Sequence, residues 1–269
     1  MSRDDGRPQR GSGRGGQTNA PRWAKQPPRE DPLARRTAEI VRTTGLTPEA
    51  ARQVAAGRAD LNELLKRMAF QDEVTSLMAR HELNRALATQ IALGQASLEQ
   101  VLSRRRVEAL LASTRDRSTL DAAAASGKEL TIGVHGRKHL RVTLTTVEQY
   151  EVVYKDLETG VETRVHKLQI KYAWSPDDHK KVRKALDYDK ARRDGAVEPV
   201  SRPQDRYACS DRRLGLAVDR KVHVTVTTIE GERFSGEIAW VARYEFGLKT
   251  RAGAEVVIFR HCLADLQEA

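Results

Sequence analysis

The spacing of apolar positions along the chain changes twice. Between residues 33 and 125 they recur every three or four places, the period of helices buried on one face. After Glu129 the period drops to two in "LTIGVHGRKHLRVTLTTVEQYEVVYKDLETGVETRVHKLQIKYAW", and again in "RKVHVTVTTIEGERFSGEIAWVARYEFGLKTRAGAEVVIFRHCLADL". Val, Ile, Thr and Leu dominate both blocks, and Gly-containing turns ("HG", "ETG"; "EG", "RAG") divide each into about five short strands. Roughly 45 residues are too few for a sandwich and suit a small bent barrel, with Gly236 in mid-strand allowing the bend. The stretch between the blocks reads as a basic helix over 177–193 followed by a Pro-rich linker. Before residue 33 no period is visible.

The helical part repeats itself at an offset of 37 residues. "GLTPEAARQVAAGRADLNELLKR" aligns without gaps on "ELNRALATQIALGQASLEQVLSR", with identities that include Leu46/Leu83, Ala51/Ala88, Gly57/Gly94 and Leu65/Leu102. Such self-similarity marks two copies of one helical unit. Capping boxes at Asp60-x-x-Glu63 and Ser97-x-x-Gln100 start the second helix of each copy, and Thr47-Pro48 starts the first helix of copy one. The pattern favours a packing or protein-interaction module over a DNA-reading helix-turn-helix.

The two strand blocks are a second duplication. Val147-x-x-Tyr150-Glu151 aligns with Val241-x-x-Tyr244-Glu245, and the match continues through Lys155/Lys249, Gly160/Gly253, Lys167/Arg260 and Ile170/Leu263. Phe259-Arg260-His261 therefore faces His166-Lys167-Leu168, with a cation kept in both copies.

Composition narrows the function. Forty-seven Lys and Arg against thirty-seven Asp and Glu leave a net charge of +10, which favours polyanions, nucleic acid first among them. Only 39% of the chain is hydrophobic, which suits small modules joined by linkers. Residues 1–36 are rich in Arg, Gly, Gln and Pro, and a disordered tail is expected there. Its "RGSGRGG" has the make-up of segments that hold RNA by charge and guanidinium stacking, or that simply solubilise. Two cysteines, Cys209 and Cys262, offer neither a disulfide framework nor a four-ligand zinc site. With no long apolar span and an N-terminus that opens "MSRDDGRPQRGSGRGG", a cytoplasmic protein without membrane contact is expected.

The second block resembles the Sm-like fold and, within it, the family of the bacterial RNA chaperone Hfq. The resemblance rests on "EGERFSGEIAWVARYEFGLK", with its Gly turn, mid-strand Gly and aromatic-ended triplet, and on "VIFRHCL", similar to that family's Val-Tyr-Lys-His-Ala-Ile motif. The first block carries a closer triplet, Glu148-Gln149-Tyr150. Together the resemblance covers about a third of the chain. It implies five-stranded bent barrels joined edge to edge in a ring, strand four of one to strand five of the next. It also implies single-stranded, uridine-rich RNA bound near the pore. Carried across, the RNA-binding residues are Gln149, Tyr150 and Lys167 in the first copy and Arg243, Tyr244, Arg260 and His261 in the second. Three chains with two barrels each would close a ring of six. Departures are visible: Ala242 and Arg243 replace the acid and Gln, Phe259 replaces the tyrosine, and the first copy ends in Lys167-Leu168 and lacks the mid-strand glycine.

Nothing in the sequence calls for catalysis, a metal or a cofactor. His135-x-x-x-His139 spans a predicted hairpin, Asp177-Asp178 fits the start of the linker helix, and no phosphate loop or nucleophile elbow occurs. The expected architecture is α+β and multidomain. It has the tail (1–36), an all-α duplicated module (37–125), a first Sm-like barrel (129–174), a linker with a basic helix (175–217) and a second barrel (218–269). The expected function is a non-enzymatic, homo-oligomeric RNA chaperone or post-transcriptional regulator whose helical module contacts another protein. The competing readings are a scaffold whose barrels only oligomerise, and a DNA-binding protein using the helices and tail.

Overall fold

The structure, a computed structural model, describes residues 31–136, 138–193 and 198–268. The tail expected over 1–36 lies outside these except for its last residues, which are helical from Pro32. The chain divides into two units with the boundary between Ala92 and Leu93, inside the expected helical module.

The first unit holds α1 (Pro32–Thr44), α2 (Pro48–Ala55), α3 (Leu61–His81) and α4 (Arg85–Ala92). Its repeat is written in backbone geometry. Gly45 and Glu82, 37 positions apart, both take the left-handed conformation at a helix end, with φ of 73° and 51°. Asp60 Oδ1 accepts from the N–H groups of Asn62 (2.7 Å) and Glu63 (3.1 Å), and Asn84 Oδ1 accepts from that of Leu87 (2.9 Å), so side chains satisfy donors the helix leaves open. The paired positions Leu46/Leu83 and Ala51/Ala88 are buried in both copies.

The second unit begins with α5 (Leu98–Thr114), capped by Ser97, and α6 (Thr119–Ser126), capped by Ser118. The first strand block follows as β1 (Glu129–Val134), β2 (Lys138–Val147), β3 (Glu151–Asp156), β4 (Glu162–His166) and β5 (Ile170–Trp174). The expected basic helix is broken: α7 (His179–Ala185) gives way to a short strand, β6 (Leu186–Tyr188), and then α8 (Lys190–Arg193). After α9 (Asp211–Asp219) the second block runs β7 (His223–Thr228), β8 (Glu232–Val241), β9 (Glu245–Thr250), β10 (Glu255–Phe259) and β11 (Leu263–Glu268).

The expectation of two separate five-stranded barrels is overturned. All the strands among the described residues belong to one antiparallel sheet of eleven, in the order β11-β7-β8-β9-β10-β5-β1-β2-β3-β4, with β6 paired to β8. Neither five-strand run closes on itself; β10 of the second block pairs instead with β5 of the first, Val256 to Trp174, Val257 to Ala173 and Ile258 to Tyr172. The reason is the exposed edge. β5 and β10 each end a run with unpaired backbone groups, and joining them satisfies both ladders. Side chains then cross the join in both directions. Tyr172 and Trp174 of β5 enter the core of the second half, and Phe259 at the end of β10 enters the core of the first.

The halves otherwise match in detail. β2 and β8 are each ten residues long and carry an irregularity at the same place, between Leu144 and Thr146 and between Ile238 and Trp240. Such a bulge bends a strand and increases its twist. Each half is preceded by a short helix that delivers apolar residues to its core, Leu120 and Ala123 from α6, Leu214 and Ala217 from α9. At Gly236 an added Cβ would lie 2.2 Å from the Lys249 carbonyl oxygen, so β8 and β9 approach there as no side chain would permit. The corresponding residue of β2 is Val142, fully buried.

The join also contains charge. Lys171 of β5 is completely buried and its ammonium contacts the carboxylates of Glu230 and Glu232. Tyr172 donates its hydroxyl to Glu232 (3.1 Å), and Glu230 Oε1 accepts from the Gly136 N–H (2.8 Å) and lies 3.2 Å from His135 Nδ1. A buried ion is tolerable when paired and hydrogen-bonded in this way.

Candidate nucleic-acid interface

Two tyrosines stand out because they are exposed where most aromatic rings of the sheet are buried: Tyr150 at 63% and Tyr244 at 65%. They occupy equivalent turns, between β2 and β3 and between β8 and β9. Each turn is tied to the 3-10 turn that precedes the last strand of its half. The Lys167 N–H donates to the Tyr150 carbonyl at 2.7 Å, and the Arg260 N–H donates to the Tyr244 carbonyl at 2.8 Å. The same backbone frame thus brings Gln149, Tyr150 and Lys167 together in the first half, and Arg243, Tyr244 and Arg260 in the second.

The side chains on those frames behave differently. In the first half the Gln149 amide donates to the Tyr150 hydroxyl (3.0 Å), and among the described residues no carboxylate pairs with the Lys167 ammonium. The ring of His166, last residue of β4, lies nearly parallel to that of Tyr150 at 10°, with 6.3 Å between centroids. His166 Nδ1 accepts from the Leu168 N–H at 3.1 Å, which places the ring proton on Nε2.

In the second half the Arg260 guanidinium is engaged internally. It donates to Asp211 Oδ1 (2.5 Å), the Cys209 carbonyl (2.5 Å) and the Arg243 carbonyl (3.2 Å), and its side chain is 20% exposed. It therefore braces the turn and the start of α9 more than it faces solvent. His261 is enclosed, and burial pushes its imidazole down to about 4, so it is neutral near pH 7. Its Nε2 is buried without a hydrogen-bond partner. Arg243 is exposed and keeps its cation outward, its guanidinium 5.1 Å from the centroid of Tyr244. The Arg243 N–H also donates to the Arg115 carbonyl at the end of α5 (3.1 Å). Beside the turn lies a groove of 410 Å³ lined in part by Glu108, Arg115, Asp211 and Arg243, a mixed-charge setting less suited to phosphate than a purely basic one.

Of the seven residues singled out in the sequence, the structure places Gln149, Tyr150, Arg243 and Tyr244 exposed at the two turns, Lys167 half-buried beside the first, and Arg260 and His261 in the framework. The sequence pattern did not single out His166. Its signal was present, since His166 aligns with Phe259 immediately before the shared cation. His135 and His139 lie on the β1–β2 hairpin, and among the described residues no group of three metal-binding side chains gathers. No described helix is long and apolar enough to cross a membrane. Compared with protein-family models, with curated proteins and with solved structures, the chain matches none.

Proposed function

We propose that this chain is a cytoplasmic, non-enzymatic RNA-binding protein that holds single-stranded, uridine-rich RNA, acting as an RNA chaperone or post-transcriptional regulator. The observation that carries the reading is the Tyr150 turn, where an exposed tyrosine takes the Gln149 amide on its hydroxyl and the Lys167 N–H on its carbonyl, and where no described carboxylate pairs with the Lys167 ammonium. That trio supplies stacking, base-edge hydrogen bonding and phosphate neutralisation. The net charge of +10 supports it by favouring polyanions generally.

The active form in this reading is a homo-oligomer. Within one chain, the fourth strand of one half pairs with the fifth of the other, β10 with β5. The outer edges of the sheet are β4 and β11, again a fourth and a fifth strand. Pairing β4 of one copy with β11 of the next repeats the same join and protects both edges, and three chains complete the six-position ring that the family resemblance implies. Sedimentation equilibrium is expected to give a trimer; a stable monomer would sink the ring.

RNA binding is tested by titrating the full chain with labelled oligouridylate across a range of salt concentrations. A steep fall in affinity with salt is expected, and duplex DNA should compete poorly at fixed ionic strength. A slope near zero would instead favour a scaffold that uses the sheet only to assemble and recruits partners through its helical unit. The internal engagement of Arg260 and the enclosure of His261 are the observations on that side.

A further inference from the structure

We propose that Tyr150 and His166 together form a two-ring platform on which an unpaired nucleobase stacks, and that His166 is its specificity-determining residue. The inference rests on the RNA-binding reading above and narrows it to one site per chain, in the first half.

Three features of the first half converge on this. The two rings are within 10° of parallel, and both residues are exposed, Tyr150 at 63%. Two aromatic faces sharing an orientation at a surface bury little of each other and leave a broad apolar area beside polar groups, the form in which bases are held by stacking. Second, the platform is fixed before any ligand arrives. Lys167 N–H to Tyr150 carbonyl locks the turn, and Leu168 N–H to His166 Nδ1 locks the imidazole. Rigid aromatic contacts lose little conformational entropy on binding. Third, with Nδ1 occupied, His166 presents Nε2–H as a fixed donor at the edge of the platform, where it meets a base carbonyl or ring nitrogen.

The second half keeps the locked turn and an exposed tyrosine but lacks the second ring and the fixed imidazole donor. The residue aligned with His166 is Phe259, which is 6% exposed and packed in the core of the first half, so its ring is not available beside Tyr244. The cation that follows it is engaged by Asp211.

The test separates the ring of His166 from its capping nitrogen. His166→Asn keeps a side-chain acceptor for the Leu168 N–H and removes the ring; His166→Phe keeps the ring and removes both the cap and the donor. Anisotropy titrations of the full chain with labelled oligouridylate and oligoadenylate are expected to show His166→Asn binding both RNAs about 5- to 100-fold more weakly, the range for losing one base stack. His166→Phe should stay within about threefold for one RNA while the preference between the two disappears. If His166→Asn binds as the wild type does while Tyr150→Ala is weakened, or if His166→Phe is the weaker of the two histidine variants for both RNAs, the platform is wrong and the RNA-binding reading stands. If the wild-type chain binds neither RNA, both fall together.

Discussion

The two halves of the sheet share strand order, the position of a bulge, a preceding helix and a tyrosine turn, yet they differ in what surrounds those parts. The second half carries α5 and α9 against β8, and β6 paired to that strand. Among the described residues, the helix packed most closely on the first half is α6, against β2. The consequence is visible at matched positions. Ala254 in the β9–β10 turn is fully buried, whereas its counterpart Val161 in the β3–β4 turn is 57% exposed. Lys167 has no carboxylate partner among the described residues, whereas Arg260, on the same backbone frame, is tied to Asp211 and two carbonyls. A position that keeps its charge through a duplication can therefore change its task, because the neighbouring elements decide whether that charge meets solvent or protein.

The contrast is sharpest at the join, and so are its consequences. Lys171 belongs to the first half but is neutralised by two carboxylates of the second. Lys171→Ala would leave both carboxylates buried without their cation, and a loss of about 3–5 kcal/mol is expected in urea denaturation. Lys171→Met combined with Glu230→Gln and Glu232→Gln should recover much of that loss; no recovery would mean that the charges do not act as a set. A smaller effect, about 2–3 kcal/mol, is expected for Gly236→Ala, because its Cβ would meet the Lys249 carbonyl oxygen at 2.2 Å. A wild-type denaturation midpoint for Gly236→Ala would show that the second half bends by some other means than this close approach.

These two sites also show what could be read from sequence and what could not. The alternation of residues within each strand, the turns, the caps at Asp60 and Ser97 and the duplication itself are local signals, and local hydrogen bonds express them. Gly236 announced its bend, since a glycine amid β-branched residues weakens a strand unless the backbone must turn or pack closely there. The join was not legible. Which edge pairs with which depends on contacts between residues 82 to 86 positions apart, such as Val256 and Trp174, and either edge strand reads the same with or without its partner. For the same reason the sequence could nominate Arg260 and His261 but could not see Asp211, or the enclosure that keeps His261 neutral. Lys171 inside "LQIKYAW" reads as a solvated strand residue until Glu230 and Glu232 are placed beside it. β6 was hidden because a three-residue strand, Leu-Asp-Tyr, has too short a pattern to outweigh the helical residues before it.

His261 allows the comparison to be tested by pH. An imidazole held near 4 in the folded chain and near 6.5 in the unfolded chain binds its proton preferentially after unfolding. The folded state is therefore unaffected above about pH 6.5 and loses stability as pH falls toward 4, by about 2 kcal/mol at pH 5. Replacing it by the residue that the first half has at the aligned position, His261→Leu, removes the titrating group and should flatten stability between pH 7 and 5, read from urea midpoints at the two values. An unchanged pH dependence would assign the acid sensitivity to other buried groups; His135 and His139, which burial also lowers, are the nearest alternatives.

The smallest free-energy change carries the functional half of the comparison. If the open turn binds RNA and the braced turn chiefly stabilises the second half, Tyr150→Ala should weaken oligouridylate binding about tenfold, and Tyr244→Ala by less than about threefold. Their exposures are nearly equal, 63% and 65%, so bare accessibility would make the two substitutions equivalent. What separates them is the company each keeps: Tyr150 has Gln149, His166 and a Lys167 ammonium that no described carboxylate pairs with, whereas Tyr244 has one stacked arginine beside a groove lined by Glu108 and Asp211. Equal losses from the two substitutions would mean that the halves still work as a matched pair. A larger loss from Tyr244→Ala would reverse the assignment, with Arg243 as the cation that matters.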